Sequence, residues 1–431
     1  MPSSRTLLAS SIIAALGGFL FGFDTVVISG AEQKIQNLWS LSDWLHGAAV
    51  SSALWGTVLG ALTGSVPTDR LGRKPTLFWI GILYFVSAVW SGLATDVYSL
   101  IIARFIGGVG VGISTVVAPL YIAEISPPES RGRLTGLYQL NIVLGILAAF
   151  VSNALLRQYG GEHAWRWMLG AEAFPALAYT VLSARVPESP RWLIGVKQNE
   201  AAGADVLRTL NPTASPDEIR ELTHAITTAG LRKPILIAFL VAFFNQLSGI
   251  NAVLYFAPRI FEMAGLKEES ALLQSVGIGV ANLIFTFVGL ALIDRLGRKT
   301  LLIIGSLGYI ASLGTCAWAF HTGATAIVPT AIFAFIAAHA VGQGAVIWVL
   351  ISEVFPNEHR AIGNSIGCGT HWVFAALISL VFPKAAAVVA PAAIFAFFAG
   401  MMVLQLVWVL TMVPETKGVP LEELQEQLGV S

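Results

Sequence analysis

Charge is what this chain has least of. Aspartate, glutamate, lysine and arginine together make up 12% of it, where an ordinary soluble domain carries roughly 25%. Such a poverty of charge excludes a disordered chain and argues against a soluble globular domain. Neither sign is in excess, with 25 basic and 25 acidic residues, so no basic patch asks for nucleic acid. Only two cysteines are present, Cys316 and Cys368, both in apolar runs, and no disulfide framework follows. No His/Cys cluster has metal-ligand spacing and no Ser/His/Asp arrangement is visible. Neither a metal, a cofactor nor an enzymatic activity is therefore expected. The one N-x-S/T triplet, Asn211-Pro212-Thr213, carries proline in the middle and is not a glycosylation acceptor. The first apolar run, about Leu7 to Ile28, is interrupted by Asp24 and is too long for a signal-peptide core. It is expected to stay as a membrane helix.

What the sequence does hold is apolar surface: 55% of its 431 residues, with a mean hydropathy of +0.74. A spanning helix needs about 20 such residues. That ruler predicts twelve spans, near 7–30, 47–66, 76–95, 99–123, 134–156, 167–186, 234–262, 271–293, 300–320, 327–353, 361–383 and 390–413. The polar stretch 187–233, with four prolines, divides them six and six and has room for short surface helices such as 197–210 and 217–228. The expected organisation is a six-helix bundle at 1–186, a cytoplasmic linker at 187–233, a second bundle at 234–413 and a short cytoplasmic tail at 414–431. With both termini in the cytoplasm, about 18 of the 25 lysines and arginines fall on the inner side and about 6 on the outer, as the positive-inside rule requires.

Three features recur in register. Asp69-Arg70-Leu71-Gly72-Arg73-Lys74 returns as Asp294-Arg295-Leu296-Gly297-Arg298-Lys299, 225 residues on. Glu124 with Arg131 returns as Glu353 with Arg360, and Pro187-Glu188 returns as Pro414-Glu415. Three repeats at nearly one offset mean a duplicated six-helix unit, an arrangement that secondary transporters use. All fall on the inner side. Asp69, Arg73, Glu124, Arg131, Glu188, Asp294, Arg298, Glu353, Arg360 and Glu415 are read as a cytoplasmic gate of exposed, individually weak ion pairs that bridges the halves and breaks in each cycle.

Ionisable groups within spans are costly and point to function. Asp24 in helix 1 and Arg104 in helix 4 lie at similar depth, so a pair is predicted, either static or a protonation switch. Glu172 is assigned to Arg166 as a structural pair. His339 and His371 lie mid-span, and neutral hydrogen-bonded imidazoles are the commoner state. Polar and aromatic groups suited to a hydroxyl-bearing ligand cluster in the second half: Asn245, Gln246, Asn251 and Tyr255 in helix 7, Asn282 in helix 8, Trp348 in helix 10, and His371 and Trp372 in helix 11. Gln139 in helix 5 and Phe21 in helix 1 join them. Amides offer donor and acceptor together, and an indole offers a flat apolar face. Trp39, Trp44, Trp165 and Trp167 flank outer ends as interfacial anchors. Gly107, Gly108, Gly110 and Gly112 read as close helix packing.

These residues carry a resemblance to the sugar porter family of the major facilitator superfamily. It rests on the doubled D-R-x-G-R-K turn, Pro119-Leu120-Tyr121-Ile122-Ala123-Glu124 with Arg131-Gly132, Pro187-Glu188-Ser189-Pro190-Arg191, Pro414-Glu415-Thr416-Lys417-Gly418, Gln139 to Gly145, and Gln246-Leu247-Ser248-Gly249-Ile250-Asn251. It covers essentially the whole chain. The resemblance implies an all-α polytopic membrane protein of the major facilitator fold, with twelve transmembrane helices in two halves and short cytoplasmic helices. It implies a multi-pass inner (plasma) membrane transporter, expected as a monomer, that imports a monosaccharide with a proton by alternating access. Asp24 resembles the proton-coupled members, since facilitative relatives tend to have asparagine there. A facilitative uniporter, a polyol transporter or a transporter-like sensor remain alternatives. Three places depart from the pattern: Asn245 for glutamine, His371 for an amide, and a helix 10 segment Gly342-Gln343-Gly344 without prolines, whose glycine pair still permits a bend. They leave the particular sugar open.

Overall fold

The computed structural model describes residues 5–210, 231–355 and 360–417; the side chains of 128–133, 352 and 360–365 lie outside that description. Every regular element among the described residues is helical. The physical reason is the solvent. In hydrocarbon each backbone N–H and C=O must be satisfied internally, and a helix does this within one segment.

Among the described residues eleven helices are long and apolar enough to cross a bilayer, from Arg5–Gly30 to Pro391–Met412. The chain is a multi-pass membrane protein. The sixth predicted span is present as two shorter pieces, Ala164–Gly170 and Ala173–Ser183. Pro175 explains the interruption, because its ring crowds the carbonyl four residues back and it has no N–H to donate. The seventh, expected as one helix over 234–262, is three: Arg232–Leu247, Ile250–Tyr255 and Ala257–Met263. Gly249 breaks it with φ +82°, a conformation glycine adopts at little cost. The tenth breaks at Gly342 into Val328–Val341 and Gln343–Val354. In the linker, helices cover Pro190–Gly195 and Glu200–Leu210; Ser189 caps the first by accepting from the N–H of Trp192 at 3.2 Å. The predicted helix at 217–228 lies outside the described residues.

By backbone proximity the chain forms two units. One holds residues up to Val27, Ser52–Ser152 and the stretch from Tyr159 through the linker helices; the other holds Ile28–Ser51, Asn153–Gln158 and the second half. Within the first unit small residues let backbones touch. A Cβ on Gly22 would fall 1.9 Å from the carbonyl oxygen of Ile142, and one on Gly108 would fall 1.8 Å from that of Ala53. Of the expected interfacial tryptophans, Trp44 and Trp167 are exposed, whereas Trp165 is buried with Arg166 over its ring at 4.3 Å.

Candidate functional site

The duplicated turn carries a duplicated network around its arginine. Arg73 donates to Glu124 through Nε at 2.9 Å and Nη2 at 2.8 Å, to Asp69 at 3.2 Å and to the carbonyl of Thr68 at 3.1 Å. Arg298 donates to Glu353 at 3.0 and 2.7 Å, to Asp294 at 3.2 Å and to the carbonyl of Ile293 at 3.1 Å. The backbone N–H of Arg73 reaches Glu188 at 2.9 Å, and that of Arg298 reaches Glu415 at 2.9 Å. Each network closes within its own unit. The first is not the exposed pair read from sequence. Arg73 and Glu124 side chains are only 7% and 10% exposed, because the helix ends fold over them. The side chains of Arg131 and Arg360 lie outside the described ones. Burial raises the pKa of Glu188, against the lowering effect of its backbone N–H bonds and Arg73.

Gly72 and Gly297 make these turns, with φ +103° and ψ 170°, and φ +90° and ψ 167°. A side chain there is disfavoured by about 1–3 kcal/mol. It would also meet a carboxylate, Glu188 at 2.4 Å or Glu415 at 2.5 Å. Gly72→Ala and Gly297→Ala are each expected to lower the thermal unfolding midpoint of the detergent-solubilised protein. Gly136→Ala, in a helix interior where a Cβ meets nothing within 4 Å, is the control expected not to lower it and to raise it slightly.

In the first unit Asp24 and Arg104 are paired, each 2% exposed. Arg104 Nη1 donates to Asp24 Oδ1, and Nη2 donates to the Asp24 main-chain oxygen at 2.9 Å. The predicted partnership of Glu172 with Arg166 does not form. Arg166 donates instead to the carbonyl of Gly92 at 3.1 Å. Glu172 is buried beside Asp24 and Arg104, and its Oε1 has no hydrogen-bond partner among the described residues. Sequence position alone missed this: helix 6 breaks next to Glu172, so counting along a straight helix misdirects its side chain.

The second unit gathers most of the polar set. Gln246, fully buried, donates through Nε2 to Asn245 Oδ1 at 2.9 Å and faces the His371 ring nitrogens at 3.1 Å. Its Oε1 accepts from Asn251 Nδ2 at 2.8 Å. On a regular helix residues five apart sit about 140° apart and do not meet. The turn at Gly249 is what brings Gln246 and Asn251 together. Trp348 and Trp372 flank His371, with ring centroids 5.1 and 4.7 Å away. Tyr255 and Asn282 are buried in the same unit, on the broken seventh helix and the eighth. Phe21 and Gln139 belong to the first unit. His339 meets the Tyr309 hydroxyl through Nδ1 at 2.6 Å.

Membrane-spanning helices in two repeated halves, with buried charges in one and buried amides between indoles in the other, define a polytopic protein built as secondary transporters are. Known proteins agree. The chain matches the family Sugar (and other) transporter over residues 10–428. The arabinose-proton symporter of Bacillus subtilis (strain 168) is 35% identical over 439 residues, covering 96% of this chain and 94% of that one. A glucose transport protein of Synechocystis is 36% identical over 458 residues, covering 97% of each. Among solved structures, the xylose transporter XylE from E. coli in a partially occluded inward open conformation has a TM-score of 0.86 at 32% identity, covering 97% of this chain and 100% of that one. The chain belongs to the Sugar (and other) transporter family and has the major facilitator fold.

Proposed function

We propose that this protein imports a monosaccharide together with a proton by alternating access, in a plasma membrane with both termini on the cytoplasmic side. The observation that carries the coupling is the desolvated Asp24–Arg104 pair. A guanidinium buried against a carboxylate offsets the desolvation of both, and a proton taken up by the carboxylate removes the reason for the pair. Asp24 is therefore the proton carrier and Arg104 the group its protonation releases, with Glu172 beside them as a second carboxylate.

Sugar recognition falls to the amide network. Asn245, Gln246 and Asn251 with His371 supply donors and acceptors, Trp348 and Trp372 supply apolar faces, and Tyr255, Asn282, Gln139 and Phe21 complete the set. Arabinose, glucose and xylose in the names of similar proteins make a pentose or hexose the substrate class. The paired turn networks hold the helix ends of each half at its inner side rather than bridging the halves, and the protein works as a monomer.

External pH in a lightly buffered suspension of proteoliposomes tests this. Adding arabinose, xylose, glucose, galactose or fructose in turn is expected to alkalinise the medium for at least one, with mannitol as control. No pH change with any sugar, while radiolabelled sugar still equilibrates, would make the protein a uniporter.

A further inference from the structure

A second buried ionic cluster lies in the connection between the first two spans, apart from Asp24 and Arg104. Glu32 opens the short helix Glu32–Leu38 and is completely buried. Arg259, on Ala257–Met263, grips it with two bonds: Nε donates to Oε1 at 3.0 Å and Nη2 to Oε2 at 2.8 Å. His46, in the first turn of Asp43–Thr63 and also completely buried, meets Oε2 through Nε2 at 2.6 Å. Arg259 Nη2 further donates to Gln36 Oε1 at 2.5 Å. Gln33 to Glu262 at 3.2 Å and Lys384 to Asp43 at 3.5 Å flank the cluster.

Two facts make this more than a static pair. First, residues 28–51 pack in the second unit, yet they continue covalently into Val27 and Ser52 of the first. A rearrangement of one unit against the other must bend the chain at those two points or release the cluster. Second, the chemistry suits release. A buried ion pair loses much of its attraction to desolvation, and both charges regain hydration when it opens. An apolar contact of the same size would expose its surface to water at full cost. A bidentate guanidinium–carboxylate fork also re-forms in only one register.

We propose that Glu32, Arg259 and His46 are a reversible clasp holding residues 28–51 on the second unit, opened and re-formed in each transport cycle. The inference rests on the transport reading above. Full-length protein in lipid nanodiscs tests the clasp by amide hydrogen exchange. In Glu32→Gln, which keeps the shape and removes the charge, exchange across Glu32–Leu38 and Ala257–Met263 is expected to accelerate together, by about tenfold or more. Unchanged exchange in either segment overturns the clasp.

Sugar counterflow with Glu32→Gln, Arg259→Gln and the double variant tests its place in the cycle. Each single change is expected to alter turnover several-fold, and the double no more than the larger single, as for two ends of one interaction. Effects that multiply, or wild-type turnover in all three, overturn it. Should Glu32→Gln fail to fold, Arg259→Lys keeps the charge, loses the fork and is read the same way. Hydrogen exchange needs no sugar. Failure of the transport reading would therefore show as absent counterflow in the wild type, and failure of the clasp as unchanged exchange in the variant.

Discussion

Asp24→Asn is expected to abolish uphill sugar accumulation while leaving sugar exchange intact. The asparagine amide keeps the carboxylate's shape and still accepts a bond from Arg104, but it carries no charge and takes up no proton at physiological pH. It therefore fixes the site in the state that a protonated Asp24 reaches only in passing. Removing one partner of a buried pair costs about 3–5 kcal/mol where the other charge is left alone. Here Arg104 keeps its bond to the main-chain oxygen of residue 24, which offsets part of that cost, so the variant is expected to fold. Accumulation driven by an imposed pH gradient and counterflow without one are measured on the same proteoliposomes. The accumulation ratio should fall to unity with counterflow retained. Equal loss of both would remove the switch role from Asp24.

Gln246→Ala is expected to weaken sugar binding by at least about tenfold, or 1.4 kcal/mol. The side chain holds Asn245 and Asn251 at once and faces His371. Its loss strips partners from buried amides, and each group left unsatisfied costs about 1–3 kcal/mol. It also frees His371 to turn between Trp348 and Trp372. Tryptophan fluorescence titrated with sugar reads the affinity, since both indoles flank the network. An unchanged dissociation constant would remove Gln246 from the binding site.

Much of the architecture was legible before any coordinates. Apolar runs of spanning length gave the helices, because hydrocarbon leaves the backbone no alternative to internal hydrogen bonding. The repeat located both turns, but in place of exposed ion pairs bridging the halves each turn carries a network closed within its own unit. The Asp24–Arg104 pair followed from depth alone, because two opposite charges in a membrane interior have few other ways to lower their cost.

Helix breaks were not legible in the same way. Spans 6 and 7 read as continuous apolar runs, and hydropathy does not register a single residue's φ; only in span 10 does the pair Gly342 and Gly344 signal the bend that is found. Where each helix bends decides which side chains meet, and three features followed from that: Gln246 bonded to Asn251, Glu172 turned from Arg166 toward Asp24, and Arg259 closed on Glu32.

The sequence by itself determined the helical class, the twofold repeat and the residue types of the buried ion pair and of the amide network, because composition and periodicity act through solvent transfer and chain geometry, which are local. Tertiary structure alone decided which of those polar groups are partners and which ionic clusters are sealed from water. Those outcomes depend on a few bends at Gly249, Gly342 and Pro175, and on distances between helices far apart in the chain.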